Sequence, residues 1–262
     1  MLSDRISIIL PFVFGAVVGS FLNVCIHRIP IGLSIVTPAS RCPRCARPIP
    51  FYYNVPVISY IVLLGRCAYC RAPLSLQYPV VEALTGAAAL FIFQRHGATP
   101  ELFVWFAFIS ALIVITFIDL EHQIIPDVLS LPGIVIGLAA SFFLPFPGVL
   151  NSVIGICLGG GLLLAIAYGY YYATGKTGMG GGDVKLLAMI GAFLGWKGVL
   201  VTLLIGSFAA AAIGAVVMID SKRGAKSPIP FGPFLAAGAA VYLFYGESLI
   251  RWYLARFSGG YH

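Results

Sequence analysis

Charged residues are scarce in this chain: Asp, Glu, Lys and Arg make up only 10% of its 262 residues, whereas hydrophobic residues make up 60%. Soluble globular domains carry about 25% charged residues, so this composition excludes an ordinary soluble protein. Apolar runs recur along the chain near 6–26, 79–94, 101–118, 128–145, 149–172, 184–195, 198–219 and 231–250. Most of them approach the length of a helix that crosses a bilayer, about 20 residues. We therefore predict an all-α polytopic membrane protein with about eight transmembrane helices, of which 184–195 is the shortest.

Acidic residues are rarer still, and none lies between positions 27 and 78. That segment is rich in proline and arginine, so it has the character of a loop outside the membrane. The apolar run before it is too long for a signal peptide and is followed by no small-x-small cleavage site, so we expect it to be retained. The sequence thus predicts three parts: a first transmembrane helix at 1–26, a loop domain at 27–78 and a membrane helical bundle at 79–262.

Lysine and arginine are unevenly distributed between the loops. If 27–78 is cytoplasmic, alternation of the spans places loops 119–127, 173–183 and 220–230 on the same side. These four segments and the bordering Lys185 hold eleven of the sixteen Lys and Arg residues. Because cytoplasmic loops of membrane proteins are enriched in positive charge, we predict that both termini lie outside and that these loops are cytoplasmic. The basic residues behind the net charge of +7 then mark the cytoplasmic side of a protein in a lipid bilayer. We therefore expect no nucleic acid as a partner.

Cysteine is also infrequent, but four of the six cysteines form two Cys-x-x-Cys pairs in the loop domain, namely Cys42 with Cys45 and Cys67 with Cys70. In a reducing compartment this spacing favours a metal site over disulfides. Four thiolates complete the closed tetrahedral shell of structural zinc, and zinc would supply folding free energy to a loop with little apolar material. We therefore predict a structural zinc site. Four unliganded thiols or a redox pair are the alternatives.

Polar and small residues at the end of the first apolar run form a second candidate group. Gly15 and Gly19 make a small-xxx-small pattern at which a neighbouring helix can pack closely. Ser20 and Asn23 follow on the same segment. Taken alone, these two side chains are explained by hydrogen bonds between helices.

Glu82 lies about one turn into the second apolar run. A carboxylate in a membrane span is costly, so we expect it to face the interior of the bundle and to bind a cationic group or a hydrogen-bond donor. A structural ion pair with Arg28 or Arg71 is the competing interpretation.

Three aspartates stand at the ends of apolar runs. Asp183 follows the glycine cluster 178–182 and is explained locally either as an N-cap or as a functional carboxylate. Asp127 follows Pro126, which cannot continue a helix, so an N-cap explains it well. Asp119 ends a helix, where a carboxylate opposes the helix dipole, so it needs a functional reason. With Asp119 and Asp183 at the same membrane face, the sequence indicates an acid/base pair.

These motifs occur together in a known family. Over nearly its whole length the chain resembles the bacterial type IV prepilin peptidases, which are bifunctional leader peptidase/N-methyltransferases of the intramembrane aspartyl protease type. The resemblance is carried by Gly19-Ser20-Phe21-Leu22-Asn23-Val24, the pairs Cys42/Cys45 and Cys67/Cys70, Tyr78-Pro79-Val80-Val81-Glu82, Asp119 with Ile125-Pro126-Asp127, Gly180-Gly181-Gly182-Asp183 and Phe231-Gly232-Pro233-Phe234.

The resemblance implies that Asp119 and Asp183 are the catalytic aspartates of a peptidase. The residues expected to support the loop or the substrate are Gly180, Gly181, Gly182 and Asp127. The substrate is expected to be a prepilin or pseudopilin with a short basic leader, cut at the cytoplasmic face of the bacterial inner membrane. Because Asp183 lies near a helix N-terminus, whose partial charge is positive, we hypothesise that it is the ionised member of the pair at rest.

The resemblance also implies a second activity, methylation of the new N-terminal amine with S-adenosylmethionine as methyl donor. The family's methyl transfer is associated with the N-terminal third of the chain. The candidate cofactor-binding residues there are Gly19, Ser20, Asn23, Arg28 and Glu82.

Two other classes of protein are alternatives. A carboxylate-dependent membrane transporter is expected to show internal hydropathy repeats, and none is evident in the sequence. A zinc-containing assembly scaffold would tolerate the loss of either aspartate.

Overall fold

The computed structural model describes residues 2–176, 180–220 and 229–257, and within these ranges its regular structure is helical. The helices are α1 (Leu2–Arg28), α2 (Ile58–Val62), α3 (Gln77–His96), α4 (Pro100–His122), α5 (Asp127–Ala140), α6 (Val149–Thr174), α7 (Gly181–Asp220) and α8 (Gly232–Phe257). A 3-10 turn covers Phe51–Tyr53. Gly178 and Met179 of the glycine cluster lie outside the described residues. The predicted all-α class is confirmed.

Within the described ranges, five helices are long and apolar enough to cross a membrane: Ile6–Arg28 of α1, Pro100–His122, Val149–Thr174, Gly181–Val217 of α7 and Gly232–Tyr253 of α8. The predicted multi-pass membrane protein is thus confirmed, although fewer helices meet both criteria than the eight predicted. The apolar run 128–145 does not form one long helix, because α5 ends at Ala140 and prolines follow at positions 145 and 147. Its 14 residues extend about 21 Å at 1.5 Å per residue, less than the hydrocarbon thickness of about 30 Å.

The predicted runs 184–195 and 198–219 are both part of α7. They are separate helical segments, because Gly195 between them has φ 70° and ψ −178°, a conformation open to glycine and costly for other residues. The first segment begins at Gly181, ends at this kink and is buried inside the protein. Its fully buried side chains are Leu186, Leu187, Met189, Ile190 and Leu194.

The chain divides into two compact units, Met1–Ile118 and Asp119–His262. In the first unit, α1 packs closely against α3. A Cβ atom on Gly15 would lie 2.6 Å from the carbonyl oxygen of Thr85, and one on Gly19 would lie 2.8 Å from the Cα of Glu82. The predicted close packing at these two glycines is therefore confirmed.

In the second unit, α7 packs against α5, α6 and α8. At its crossing with α6 the backbones touch, since a Cβ on Gly155 would meet the carbonyl oxygen of Gly191. Beside this crossing the hydroxyl of Ser152 donates a 2.7 Å hydrogen bond to the carbonyl of Ala192. These contacts hold the first segment of α7 firmly, and Asp183 lies at its N-terminal end.

Candidate functional site

Asp119 lies in the last turn of α4 and is only 5% exposed. Its Oδ2 accepts a hydrogen bond of 3.0 Å from the backbone N–H of Gly232. Gly232 is the first residue of α8, and the first N–H groups of a helix have no partner within the helix. The N-terminus of α8 therefore supports a carboxylate that the end of α4 by itself disfavours.

Asp183 is the third residue of α7 and is half-buried. Because the helix begins at Gly181, Asp183 belongs to the first turn and is not the N-cap. The two predicted catalytic carboxylates lie in one neighbourhood, because Gly182, next to Asp183, and Gly232, which binds Asp119, both lie against Ile125. Asp183 lies near the N-terminus of α7, and Asp119 lies near the N-terminus of α8. The hypothesis that Asp183 is the ionised member rested on a helix N-terminus near Asp183 alone, so it loses this support.

Ile125 connects the surroundings of the two aspartates. A Cβ atom on Gly182 would lie 2.9 Å from the Cβ of Ile125, and one on Gly232 would lie 3.3 Å from its Cδ1. The starts of α7 and α8 can therefore both approach Ile125 only because they lack side chains at these positions. Gly182 adjoins Asp183 in the chain, and Gly232 binds Asp119, so the two glycines set how closely the carboxylates approach.

Gly180 and Gly181 border open space on the exposed side of Asp183. Among the described residues, the nearest heavy atom to a Cβ on Gly180 would be the Oδ2 of Asp183, 3.9 Å away, and a Cβ on Gly181 would have no neighbour within 4 Å. Gly180 and Gly181 themselves place no side chain beside the Asp183 carboxylate.

Asp127 is not an N-cap, so the prediction made for it is wrong. The N-cap position of α5 is Pro126, with φ −66° and ψ 129°, and Asp127 is the first helical residue. Its carboxylate oxygens instead accept hydrogen bonds of 2.7 and 2.8 Å from Nζ of Lys185. An N-cap residue has a non-helical backbone. Pro126 has that extended backbone and Asp127 is already helical, so the N-cap position falls on Pro126. This exposed pair connects α5 with α7 and contributes at most about 1 kcal/mol.

The first unit contains a cavity of about 460 Å³. Ser20, Asn23 and Arg28 line it from α1, and Glu82 lines it from α3. The remaining wall is formed by the loop domain, including residues between positions 53 and 63. Small-molecule sites commonly have volumes of about 300–1,000 Å³, so the cavity is large enough for a cofactor.

Two polar side chains in this cavity define its chemistry. Oε2 of Glu82, a residue only 7% exposed, accepts a 2.7 Å hydrogen bond from the backbone N–H of Val57. Nδ2 of Asn23 donates to the carbonyl of Tyr78 at 3.1 Å, while its buried Oδ1 has no partner among the described residues. Leaving a buried acceptor unsatisfied costs about 1–3 kcal/mol. Asn23 and Glu82 therefore offer acceptors to a ligand that donates hydrogen bonds, while Arg28 and Arg41 in the same lining bring positive charge.

The other candidate cofactor residues have structural partners. Gly19 does not line the cavity but contacts α3, as described above. The guanidinium of Arg28 donates to the carbonyl oxygens of Ser34 at 2.8 Å and Pro38 at 2.7 Å. Glu82 thus binds a backbone N–H, and Arg28 binds the loop that follows α1. These partners replace the ion pair between Glu82 and Arg28 that the sequence analysis offered as an alternative.

The four loop cysteines form one cluster, with all Sγ atoms within 4.8 Å of one another. All four are free thiols, and Sγ of Cys42 lies 3.8 Å from Sγ of Cys70. Ligands at the zinc–sulfur distance of about 2.3 Å form a tetrahedron with edges of about 3.8 Å. The cluster therefore has the chemistry and the dimensions of a metal site.

The two halves of this cluster repeat one pattern, Arg-Cys-x-x-Cys-x-x-Pro, at 41–48 and 66–73. In each half the residue after the second cysteine has a φ of 56°; these residues are Ala46 and Arg71. Their N–H groups donate to the carbonyls of Cys42 and Cys67 at 2.9 and 3.0 Å. Each half also closes with an isolated bridge, between Arg41 and Pro48 and between Arg66 and Pro73. This repeat was not predicted, although the pattern is readable in the sequence.

Other residues of the two sites were also missed. Gly232 and Ile125 were named only as parts of motifs, and the spacing of those motifs gives no indication that both contact the aspartate region. Val57 was not predicted at all, because nothing in the sequence marks a valine that adopts a positive φ.

Comparison with known proteins identifies related sequences over most of the chain. Residues 13–96 match the family model described as Bacterial Peptidase A24 N-terminal domain, and residues 106–215 match that of the Type IV leader peptidase family. A prepilin leader peptidase/N-methyltransferase of Aeromonas hydrophila is 36% identical over 276 residues, covering 95% of this chain and 94% of the relative. One of Pseudomonas aeruginosa is 35% identical over 268 residues, covering 94% and 92%. No solved structure matches the chain significantly.

Proposed function

This chain belongs to the type IV leader peptidase family, and we propose that Asp119 and Asp183 are the acid/base pair with which it cleaves prepilin leaders. The observation that carries the proposal is that the two carboxylates, from the end of α4 and the start of α7, share the neighbour Ile125, which lies against Gly182 beside Asp183 and against Gly232, the residue that binds Asp119. Two adjacent carboxylates resist ionising together, so such a pair retains one proton between them.

The shared proton gives the pair both roles that hydrolysis needs. The ionised carboxylate takes a proton from water as the water oxygen attacks the scissile carbonyl. The protonated carboxyl donates a hydrogen bond to the carbonyl oxygen and then a proton to the leaving nitrogen, so the peptide C–N bond breaks and a new amine is released. The N–H of Gly232 holds the Asp119 carboxylate in a fixed orientation for this exchange. The protons belong to the pair as a unit rather than to either residue.

The substrate we propose is a prepilin or pseudopilin with a short basic leader. The unobstructed backbone at Gly180 and Gly181 supports an extended substrate peptide lying beside Asp183, since a chain without side chains permits close approach. Asp127 supports this segment through its pair with Lys185, two residues beyond Asp183.

For the methylation activity, we propose that the cavity of the first unit binds S-adenosylmethionine. S-adenosylmethionine, when bound, would supply the methyl group of its sulfonium: the methyl carbon–sulfur bond would break as the new N-terminal amine gains the methyl group and loses a proton. Oδ1 of Asn23 would accept a hydrogen bond from the ligand, the charge of Glu82 would offset positive charge in the cavity, and Ser20 lines the wall on the α1 side. Arg28 supports the adjacent loop, and Gly19 acts indirectly by allowing α1 to approach α3.

The thiol cluster is proposed to hold a structural zinc ion through Cys42, Cys45, Cys67 and Cys70. The four sulfurs complete a closed shell and leave no open position for substrate, as in structural rather than catalytic zinc sites. Zinc bound here would supply folding free energy to the loop domain.

The protein is a multi-pass membrane protein, and we propose the bacterial inner membrane as its location. The excess of Lys and Arg in the 27–78 loop and in the loops on the same side supports a cytoplasmic position for both proposed sites. A leader retained in the cytoplasm would meet the aspartates there.

The proposed function is tested with the purified protein in lipid nanodiscs and a prepilin substrate, with and without S-adenosylmethionine. Mass spectrometry of the product is expected to show a new N-terminus in both reactions and one added methyl group only when the donor is present. An intact prepilin after incubation with folded protein would contradict the proposal for the peptidase, and a cleaved but never methylated product would contradict that for the cavity.

A further inference from the structure

The backbone at Val57 has a strained conformation. Its φ is 62° and its ψ is −48°, and across it the N–H of Ile58 donates to the carbonyl of Pro56 at 2.6 Å. This is a γ-turn with positive φ, a rare and strained type, and a β-branched residue makes it more unfavourable still. Such strain persists only where the surrounding structure holds it in place.

A carboxylate from another element holds this turn. The N–H of Val57 donates its 2.7 Å hydrogen bond to Oε2 of Glu82 on α3, a length typical of strong bonds to a charged acceptor. Within the loop the turn is tied to the start of α2, since the N–H of Val55 donates to Oγ of Ser59 at 2.9 Å and the N–H of Ser59 donates to the carbonyl of Val55 at 3.0 Å. Glu82 thus joins α3 to this segment of the loop.

The same segment forms part of the cavity wall. Val55, Pro56 and Tyr60 all line the cavity, and Glu82 lines it from α3. A change in the backbone at Val57 would therefore move the residues on either side of it in the wall.

We propose that Glu82 is a positioning residue: its carboxylate holds the strained turn at Val57, and the turn sets the loop wall of the cavity. The effect of this turn on methylation rests on the proposed function of the cavity. The Glu82 carboxylate accordingly has two roles that can be separated: it accepts a hydrogen bond from the turn, and its negative charge acts on the ligand. Glu82→Gln keeps an acceptor and removes the charge, whereas Glu82→Ala removes both.

The experiment combines these two substitutions with Val57→Gly, because glycine adopts a positive φ without the penalty of a Cβ atom. Hydrogen–deuterium exchange of the full-length protein in nanodiscs is measured on the peptide 55–62. Glu82→Ala should raise its exchange at least about fivefold, the lower bound for losing a contact that holds such strain. Glu82→Gln should raise it less. Val57→Gly added to Glu82→Ala should restore protection toward the level of Glu82→Gln.

The methylation assay uses a pre-cleaved pilin and gives KM for S-adenosylmethionine and kcat separately. In the Glu82→Ala background, Val57→Gly should lower the KM at least about fivefold, back to the value of Glu82→Gln. In the Glu82→Gln background it should change KM little, because the acceptor for the turn is still present. A merely destabilised protein would lose active molecules and kcat, and its KM would not respond to Val57→Gly.

Val62→Gly is the matched control, since Val62 lies in the regular turn of α2 and has no positive φ to relieve. When Val62→Gly is added to Glu82→Ala, it should restore neither the exchange protection of the peptide nor the KM for the donor. The proposal is overturned if Glu82→Ala leaves the exchange of 55–62 unchanged, or if both glycine substitutions restore it equally. If protection follows the predicted order while KM for the donor never changes, the turn is held by Glu82 but the cavity does not bind the donor. That outcome would contradict the proposed function and not the role of Glu82.

Discussion

The N–H of Gly232 and the carboxylate of Asp119 form a 3.0 Å hydrogen bond between the start of α8 and the end of α4. The next residue of α8 is Pro233, which has no N–H, so Gly232 supplies the donor at this helix end. A side chain at position 232 would interfere with the bond, because its Cβ would lie 2.6 Å from Oδ2 of Asp119. The Phe231-Gly232-Pro233-Phe234 motif thus has a direct structural relation to a proposed catalytic residue.

Gly232→Ala should therefore reduce peptide cleavage without preventing folding. The added methyl group must displace the Asp119 carboxylate, and displacement by about 1 Å can lower a catalytic rate about a hundredfold. The measurement is kcat/KM for prepilin cleavage, normalised to the amount of folded protein in the membrane. Gly161→Ala in α6 is the control, because a Cβ there meets no atom of the described residues within 4 Å. Equal activity of the two variants would show that the contact at Gly232 has no part in catalysis.

The aspartates themselves should differ in their effects. Asp119→Asn and Asp183→Asn each remove one member of the acid/base pair, so each should abolish cleavage, with losses of at least about a hundredfold. Asp127→Asn should be much milder, because it weakens an exposed ion pair with Lys185 that contributes at most about 1 kcal/mol. All three are compared by mass spectrometry of a prepilin substrate at equal protein abundance. Normal cleavage by Asp119→Asn together with inactive Asp127→Asn would mean that the pair has been misassigned.

Features that depend on neighbouring positions were predictable from the sequence. The hydrophobic runs indicated the all-α membrane class, the Cys-x-x-Cys spacing indicated the thiol cluster, and the spacing of Gly15 and Gly19 indicated a close helix contact. The structure confirms these three. In each case the residues that interact lie within a few positions of one another or repeat a short pattern.

Features that depend on distant parts of the chain were not predictable. Asp127 has an excellent sequence context for an N-cap, but the preceding Pro126 takes that position and Lys185, 58 residues further on, binds the carboxylate. The burial of 184–195 also could not be read from its hydropathy, because an apolar segment inside a protein and one in lipid have the same composition. The strained turn at Val57 arises from Glu82 on another helix, and no local pattern encodes it.

The loop cysteines should determine both the metal content and the stability of the loop domain. Replacing Cys42 and Cys45 together by Ser removes two of four thiolates, so bound zinc should fall to background and the free energy of unfolding of the loop should decrease. Elemental analysis of the purified protein and exchange of the peptide 41–48 measure the two effects. Replacement of Cys157, which lies in α6 outside the cluster, should change neither. A wild-type protein that is fully active and free of metal would refute the zinc proposal.

The final prediction is that cleavage and methylation can be separated. Hydrolysis needs a proton donor and a proton acceptor, whereas methyl transfer needs an amine held in line with the donor's methyl group and therefore depends mainly on positioning.

Glu82→Gln should lower methylation about tenfold, corresponding to about 1.4 kcal/mol for the lost charge, and should lower cleavage less. Asp119→Asn should show the reverse, with no cleavage but normal methylation of an already cleaved pilin. Both activities are scored by mass spectrometry on the same preparations, which makes each variant the control for the other. If folded Asp119→Asn also fails to methylate the cleaved pilin, the two reactions share a catalytic group, and the assignment of methylation to the cavity around Asn23 and Glu82 must be abandoned.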